Sequence, residues 1–186
     1  MVPTVGTICM HKLDELSDEC LAERGDQESF GVLAVRYRTK ALRVAYGVLH
    51  NQADAEDAVQ EAFIRVYRNL GRFKGAGRFS SWLYRVVVNE ALRALAARRT
   101  CGELELDAEH APVSSADAEQ VLLVRQCLTR LPKKLRAVLA LRGVEELDYA
   151  EIAYVLGVPV GTVRSRLHEA RRLFAERWKE LTRDEV

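Results

Sequence analysis

The sequence predicts an all-α protein of two small helical domains joined by a flexible acidic linker, the second of them a helix-turn-helix domain. Three observations predict it. Apolar residues recur at helical spacing through most of the chain, and no strand-like alternation of comparable length interrupts them. Residues 101–118 lack that periodicity, contain Pro112 and two serines, and carry only acidic groups among their Asp, Glu, Lys and Arg positions, which is linker composition. Hydrophobic residues at 48%, aromatics at 7% and charged residues at 30% describe a globular chain rich in helix formers rather than a membrane or disulfide-stapled one.

In chain order, residues 1–21 show no apolar stripe and read as an N-terminal extension outside the folded part, a candidate for disorder. Phe30, Leu33, Ala34, Tyr37, Ala41, Val44, Ala45 and Val48 then form a stripe at i, i+3, i+4 and i+7 spacing, with Asp26 placed to cap its start. After a break near Asn51, a second stripe runs through Val59, Ala62, Phe63, Val66, Tyr67 and Leu70, and Gly71 is the expected stop. The loop GRFKGAGRFS leads into a third helix from Ser80 or Ser81, through Trp82, Leu83, Val86, Val87, Ala91, Ala94 and Leu95 to Arg98 and Arg99. These three helices can bury one core, giving a first domain over residues 22–100.

Beyond the linker, residues 119–183 form the second domain. Val121, Val124, Leu128 and Leu131 keep helical spacing, Pro132 suits the first turn of a following helix, and Gly143 suits its end. Asp148 and Glu151 read as a D-x-x-E capping box opening a short helix through Ile152, Val155 and Leu156. The last helix, from about Pro159, places Val163, Leu167, Ala170, Phe174, Trp178 and Leu181 on one face.

Net charge is only +1, yet the charges are blocked along the chain. Residues 62–100 hold nine basic groups and one acidic, residues 120–143 hold six basic and none acidic, and residues 101–119 between them hold six acidic and none basic. Two basic units separated by an acidic stretch fit two polyanion-facing surfaces on one chain, although a merely solvated surface has the same composition.

Several function classes are not supported. No apolar run approaches the roughly 18–20 residues of a membrane span, and Met1 to Met10 lacks a basic stretch followed by a long apolar core, so no membrane insertion and a cytoplasmic location are expected. Cys9, Cys20, Cys101 and Cys127 show no CxxC pair, and Cys9, His11 and Cys20 lack a fourth ligand nearby, so free thiols are expected and neither a metal nor a cofactor. Asp57 and Glu61 lie at i, i+4 with Asp54 before them and Gln60 alongside, but no His or Cys accompanies them. Acidic groups early in a helix favour its dipole, so a protein-docking face competes with a structural role there, and no enzyme is expected.

Two constellations carry function. In DYAEIAYVLGVPVGTVRSRLHEA, a short helix ends at Gly157, a turn passes Val158 and Pro159, and a second helix presents Thr162, Arg164, Ser165 and His168 outward while Val163 and Leu167 face in. The small Ala153 permits close crossing. This is helix-turn-helix grammar, whose second helix enters the major groove. In the third helix of the first domain, Arg85, Asn89 and Arg93 share a face with Trp82, while Arg72, Lys74 and Arg78 line the approach. Aromatic ring, amide and guanidinium groups together suit unstacked bases and their phosphates; the plainer alternative puts Trp82 in the core and the arginines in solvent.

The strings GDQESFGVLAVRY, DAEDAVQEAFIRVYRNLGRFKG, RFSSWLYRVVVNEA, LPKKLRAVLALRGVEELDYAEIA and GVPVGTVRSRLHEAR resemble, in order and spacing over about residues 22–178, the extracytoplasmic-function (ECF) sigma factors of the bacterial sigma-70 family. The resemblance implies a region 2 domain that binds core RNA polymerase, docking on the clamp helices of the largest subunit through Asp54, Asp57, Gln60 and Glu61. It implies that the same domain reads and melts the minus-ten element with Arg78, Trp82, Arg85, Asn89 and Arg93, Asn89 standing where the family reads a flipped base. It further implies a region 4 domain that reads the minus-thirty-five element with Thr162, Arg164, Ser165, His168 and Arg171 and meets the polymerase flap. Double- and single-stranded promoter DNA and an anti-sigma factor are the other implied partners. Glu169, where many relatives carry a basic residue, and His168, in place of a common aromatic, depart from the pattern. The competing reading is a helix-turn-helix regulator acting without polymerase, for which the WLYRVVVN helix has no use.

Overall fold

The helices begin and end where side chains satisfy backbone groups that a helix leaves unpaired. The structure is a computed structural model that describes residues 13–73, 78–100 and 116–183. Helix α1 (Asp18–Arg24) starts at Ser17, whose hydroxyl accepts from the Cys20 amide at 3.2 Å, and stops at Gly25 with φ 65°. Helix α2 (Gln27–Leu49) starts at Asp26, which accepts from the Ser29 amide at 2.7 Å. That bond and the Arg24 guanidinium hold the Asp26 carboxyl down to about 2. Asn51 caps α3 (Gln52–Asn69) by accepting from the Asp54 amide at 2.9 Å, and α4 (Phe79–Thr100) completes the first unit.

The second unit contains α5 (Ala116–Thr129), α6 (Lys133–Val144), α7 (Tyr149–Leu156) and α8 (Val160–Arg183). The capping box expected of Asp148 and Glu151 is formed from both sides, and Gly157 ends α7 at φ 63°. No strand occurs among the described residues.

Local details differ from the sequence reading for physical reasons. Residues 13–21 are not an extension: Leu13 and Leu21 are buried in the core, and Asp18 takes a hydrogen bond from Tyr37 and an ion pair from Arg36 at 2.7 Å. A helix of two turns is too short for an apolar stripe to register in the sequence. Residues 1–12, with Cys9 and His11, lie outside the described residues, as do Lys74 and residues 101–115 with Cys101. Gly71 is no left-handed stop, since α3 runs on into a 3-10 turn over Leu70–Arg72. Pro132 precedes α6 rather than opening it, and Gly143 lies inside that helix. The chain reverses at Glu146, φ 53°, where Arg142 donates to the carbonyls of Glu146 and Leu147 at 3.3 and 2.8 Å. Helix α5 begins at Ala116, inside the expected linker.

The two units do not stand apart. Val44, Ala45 and Val48 of α2 and Ala137, Val138 and Leu141 of α6 belong to one continuous buried cluster. The helices approach most closely at Gly47, where a Cβ would lie 2.8 Å from that of Ala140.

Candidate nucleic-acid interface

Helix α4 carries the first candidate face. Trp82, Arg85, Asn89 and Arg93 recur at three- and four-residue spacing, a strip about 16 Å long at 1.5 Å per residue. Arg85, Asn89 and Arg93 are exposed, while Trp82 is half-buried, tilted against Phe73 with ring centres 5.6 Å apart and edge-on to Phe79 at 5.9 Å. Its ring therefore closes the core rim while one part stays accessible. Arg93 is not a free cation: Glu90, whose side chain is only 9% exposed, holds Arg93 at 3.0 Å and Arg65 at 2.9 Å. Sequence reasoning did not single out Glu90, although it is the one acid among nine basic residues of positions 62–100.

Arg78 and Arg85 meet the second unit. Arg78 pairs with Glu151 at 2.8 Å, and the Arg85 guanidinium lies 5.5 Å from the centre of the Tyr154 ring. Nearby, Glu145 accepts from Tyr84 at 2.7 Å and pairs with Arg43 at 3.0 Å. Burial, reinforced by that carboxylate, pushes the Tyr84 phenol above its ordinary value. None of these cross-unit pairs has a signal at fixed sequence spacing.

Helix α8 carries the second face. Val163, Leu167 and Ala170 are buried, whereas Arg164, Ser165, His168 and Arg171 are exposed. Thr162 is half-buried; its carbonyl accepts from the Ser165 hydroxyl at 3.1 Å. Arg171 lies two turns beyond Arg164 and edges an apolar groove that Val124, Leu128, Leu139 and Phe174 also line. Ala153 is buried, and its carbonyl accepts from the Val158 amide at 3.0 Å, drawing the turn tight.

On α3, Asp57, Gln60 and Glu61 are exposed and Asp54 is half-buried beneath the Asn51 cap. Cys20 is exposed and Cys127 buried. Among the described residues there is no group of three or more His, Cys, Asp or Glu side chains placed to hold a metal, and no helix long and apolar enough to cross a membrane.

A basic helix with an aromatic rim and a helix-turn-helix on one chain mark a DNA-binding protein. Residues 33–100 match the family Sigma-70 region 2 and residues 122–174 the family Sigma-70, region 4. The chain is 37% identical over 191 residues to the RNA polymerase sigma-H factor of Pseudomonas aeruginosa, covering 92% of this chain and 99% of that one. It is 36% identical over 189 residues to the ECF RNA polymerase sigma-E factor of Escherichia coli (91% and 98%), and 33% over 177 residues to the ECF RNA polymerase sigma factor SigW of Bacillus subtilis (86% and 94%). The fold is also that of CnrH in complex with the cytosolic domain of CnrY, with TM-score 0.67 and 24% identity over 86% of this chain and 95% of that one. The sigma factor RpoE in complex with the anti-sigma factor NepR from Bartonella quintana gives TM-score 0.68 at 21% identity over 82% and 98%.

The chain belongs to the ECF sigma factors of the sigma-70 family. It is an alternative sigma factor that directs RNA polymerase to promoters, in a family of non-catalytic initiation factors.

Proposed function

We propose that the work of initiation is divided between three faces of this chain. Asp54, Asp57, Gln60 and Glu61 on α3 dock on the clamp helices of core polymerase. Arg78, Trp82, Arg85, Asn89 and Arg93 read the minus-ten element and stabilise its melted strand, Asn89 pairing with an extruded base. Thr162, Arg164, Ser165, His168 and Arg171 read the minus-thirty-five element in the major groove, phosphate contacts setting position and base contacts setting sequence. The protein itself catalyses nothing, needs no cofactor, and acts in the cytoplasm, where an anti-sigma factor covers its polymerase-binding faces; its relatives' complexes support the last point.

One observation carries the reading. The exposed side of α8 offers guanidinium, hydroxyl and imidazole groups turned away from its buried seam of Val163, Leu167 and Ala170. The test is transcription of fragmented genomic DNA by core polymerase with and without the protein, with sequencing of RNA 5′ ends. New starts sharing a two-part upstream motif are expected. No new starts, with a folded protein that binds DNA alone, would favour the helix-turn-helix regulator instead.

A further inference from the structure

The seam between α3 and α4 holds one carboxylate and two guanidinium groups. The rings of Phe73 and Trp82 meet at one end of it; eight residues back from Phe73 and eight on from Trp82, the same antiparallel pairing brings Arg65 opposite Glu90. The Glu90 side chain is only 9% exposed, and its Oε1 pairs with Arg65 Nε at 2.9 Å and accepts from Arg93 Nη1 at 3.0 Å. A carboxylate so enclosed is costly to bury alone, so it depends on both cations and holds both in place.

Those pairs use little of what the arginines offer. A guanidinium is a rigid fork of N–H donors; Arg65 gives Glu90 its Nε and Arg93 its Nη1, which leaves the other donors of each fork for a second acceptor. Both side chains are open to solvent, at 47% and 61% exposure. The exposed Asn89 immediately precedes Glu90, and Arg93 lies one turn, about 6 Å, further along α4. On α3, Arg65 follows Glu61 by one turn but stands between that exposed acid and the buried Ala58 and Ala62, on the edge that faces α4.

We propose that Glu90 is a positioning residue that sets Arg65 and Arg93 as a two-guanidinium seat for the phosphate beside the base taken by Asn89. Arg65 then becomes a DNA contact supplied by the helix that docks on polymerase, while Glu90 itself never touches the strand. With a phosphate seated, anions and cations alternate, and the guanidinium groups are already ordered when the strand arrives. Charge alone argues the opposite role, because a carboxylate this close to a polyanion repels it; the two roles therefore differ in the sign of their effect. The inference rests on the assignment of Asn89 and Arg93 to the melted strand made above.

The test uses core polymerase carrying the full chain and a labelled 12-nucleotide single strand with the minus-ten sequence of a promoter mapped from RNA 5′ ends. Fluorescence anisotropy over a salt series gives affinity and salt slope, circular dichroism of the free chain reads folding, and co-migration reads polymerase binding. Arg65→Ala is expected to bind about fivefold more weakly, with a log–log salt slope smaller by about 0.7, the share of one phosphate on a single strand. A phosphate carries no sequence, so the ratio of affinities for the promoter strand and a scrambled one stays unchanged. Glu90→Ala makes the face more positive, yet it is expected to weaken binding about fivefold, and the isosteric Glu90→Gln about twofold. Added to Arg65→Ala, Glu90→Ala should cost only about twofold more, since one of the cations it places is gone. Tighter binding by the folded Glu90 variants overturns the positioning role and leaves Glu90 a repelling charge. If Glu90→Ala loses helix content, Glu90→Gln decides by the same sign. An unchanged salt slope for Arg65→Ala, or its loss of polymerase co-migration, overturns the phosphate seat. Failure of the function reading is separate, because Asn89→Ala would then bind the strand as the unsubstituted protein does; weaker binding by Asn89→Ala beside a neutral Arg65→Ala removes this inference alone.

Discussion

Acidification is expected to destabilise this protein through one histidine. His50 ends α2 in the left-handed region at φ 55° and is 6% exposed, and its Nε2 has no hydrogen-bond partner. Burial, aided by the Arg136 and Arg125 guanidinium groups of α6 and α5, pushes its pKa from 6.5 down to about 4. The edge of the Tyr46 ring, 6.0 Å away between centres, offers no charge to offset these cations. A group depressed on folding binds fewer protons folded than unfolded, so stability is intact above pH 6.5 and falls as pH drops from 6.5 through about 4. With 1.36 kcal/mol per pKa unit, the loss is about 2 kcal/mol at pH 5 and about 3 kcal/mol once protonation is complete. Urea unfolding at pH 7.5, 6, 5 and 4.5 checks this, a loss of 2 kcal/mol moving the midpoint by about 1 M. Carboxylates such as Asp26 contribute their own loss at the acid end, so the comparison is with His50→Asn, which accepts the left-handed backbone and does not titrate. The substituted protein is expected to have a flatter midpoint profile between pH 6.5 and 5. Parallel profiles for the two proteins would refute the reasoning.

Three further outcomes are expected. Arg164→Ala removes a base or phosphate contact of about 1–3 kcal/mol and lowers transcription from promoters with an intact minus-thirty-five element more than from those without one; equal loss on both removes Arg164 from that role. Asn89→Ala leaves polymerase binding intact in a co-migration assay but weakens promoter opening, and a full permanganate footprint of the melted region would contradict it. Asp148→Ala breaks the capping box of α7 at a cost of about 1 kcal/mol, lowering the thermal midpoint by about 3 °C; an unchanged midpoint would mean that the box adds nothing to the packed helix.

The long helices were legible because each couples a periodic apolar stripe to a capping residue at its start. Asp26, Asn51 and Asp148 all mark helix starts from their own positions, and Gly157 marks a stop. The misread ends have a common cause. Gly71 and Gly143 are glycines that the backbone does not use for a left-handed turn, while His50 and Glu146 take that conformation without being glycine. At both exceptions neighbouring groups supply what glycine would have offered: the Arg142 guanidinium closes the turn at Glu146, and Arg125 of the second unit holds the His50 carbonyl. Helix α1 was too short for periodicity to register, and its anchorage depends on Arg36 and Tyr37, far along the chain.

The candidate faces were legible because recognition residues must be exposed on the side of a helix opposite its buried seam, and that opposition is written into spacing. The contacts between the units were not, and the reason is specific. Each residue that makes them already has a complete local explanation: Glu151 as half of a capping box, Gly47 as a small helix residue, Tyr84 as core, Glu145 as one acid in an acidic turn. A local role that accounts for a residue leaves no remainder in the sequence to signal a second partner. Glu151 shows this most clearly, since one carboxylate oxygen completes the box with Asp148 and the other reaches Arg78, 73 residues away. An acid that caps a helix is already held rigid by that helix, so it meets a distant guanidinium with little further loss of side-chain freedom. The same residue therefore stabilises the first helix of the helix-turn-helix and joins that helix to the first domain.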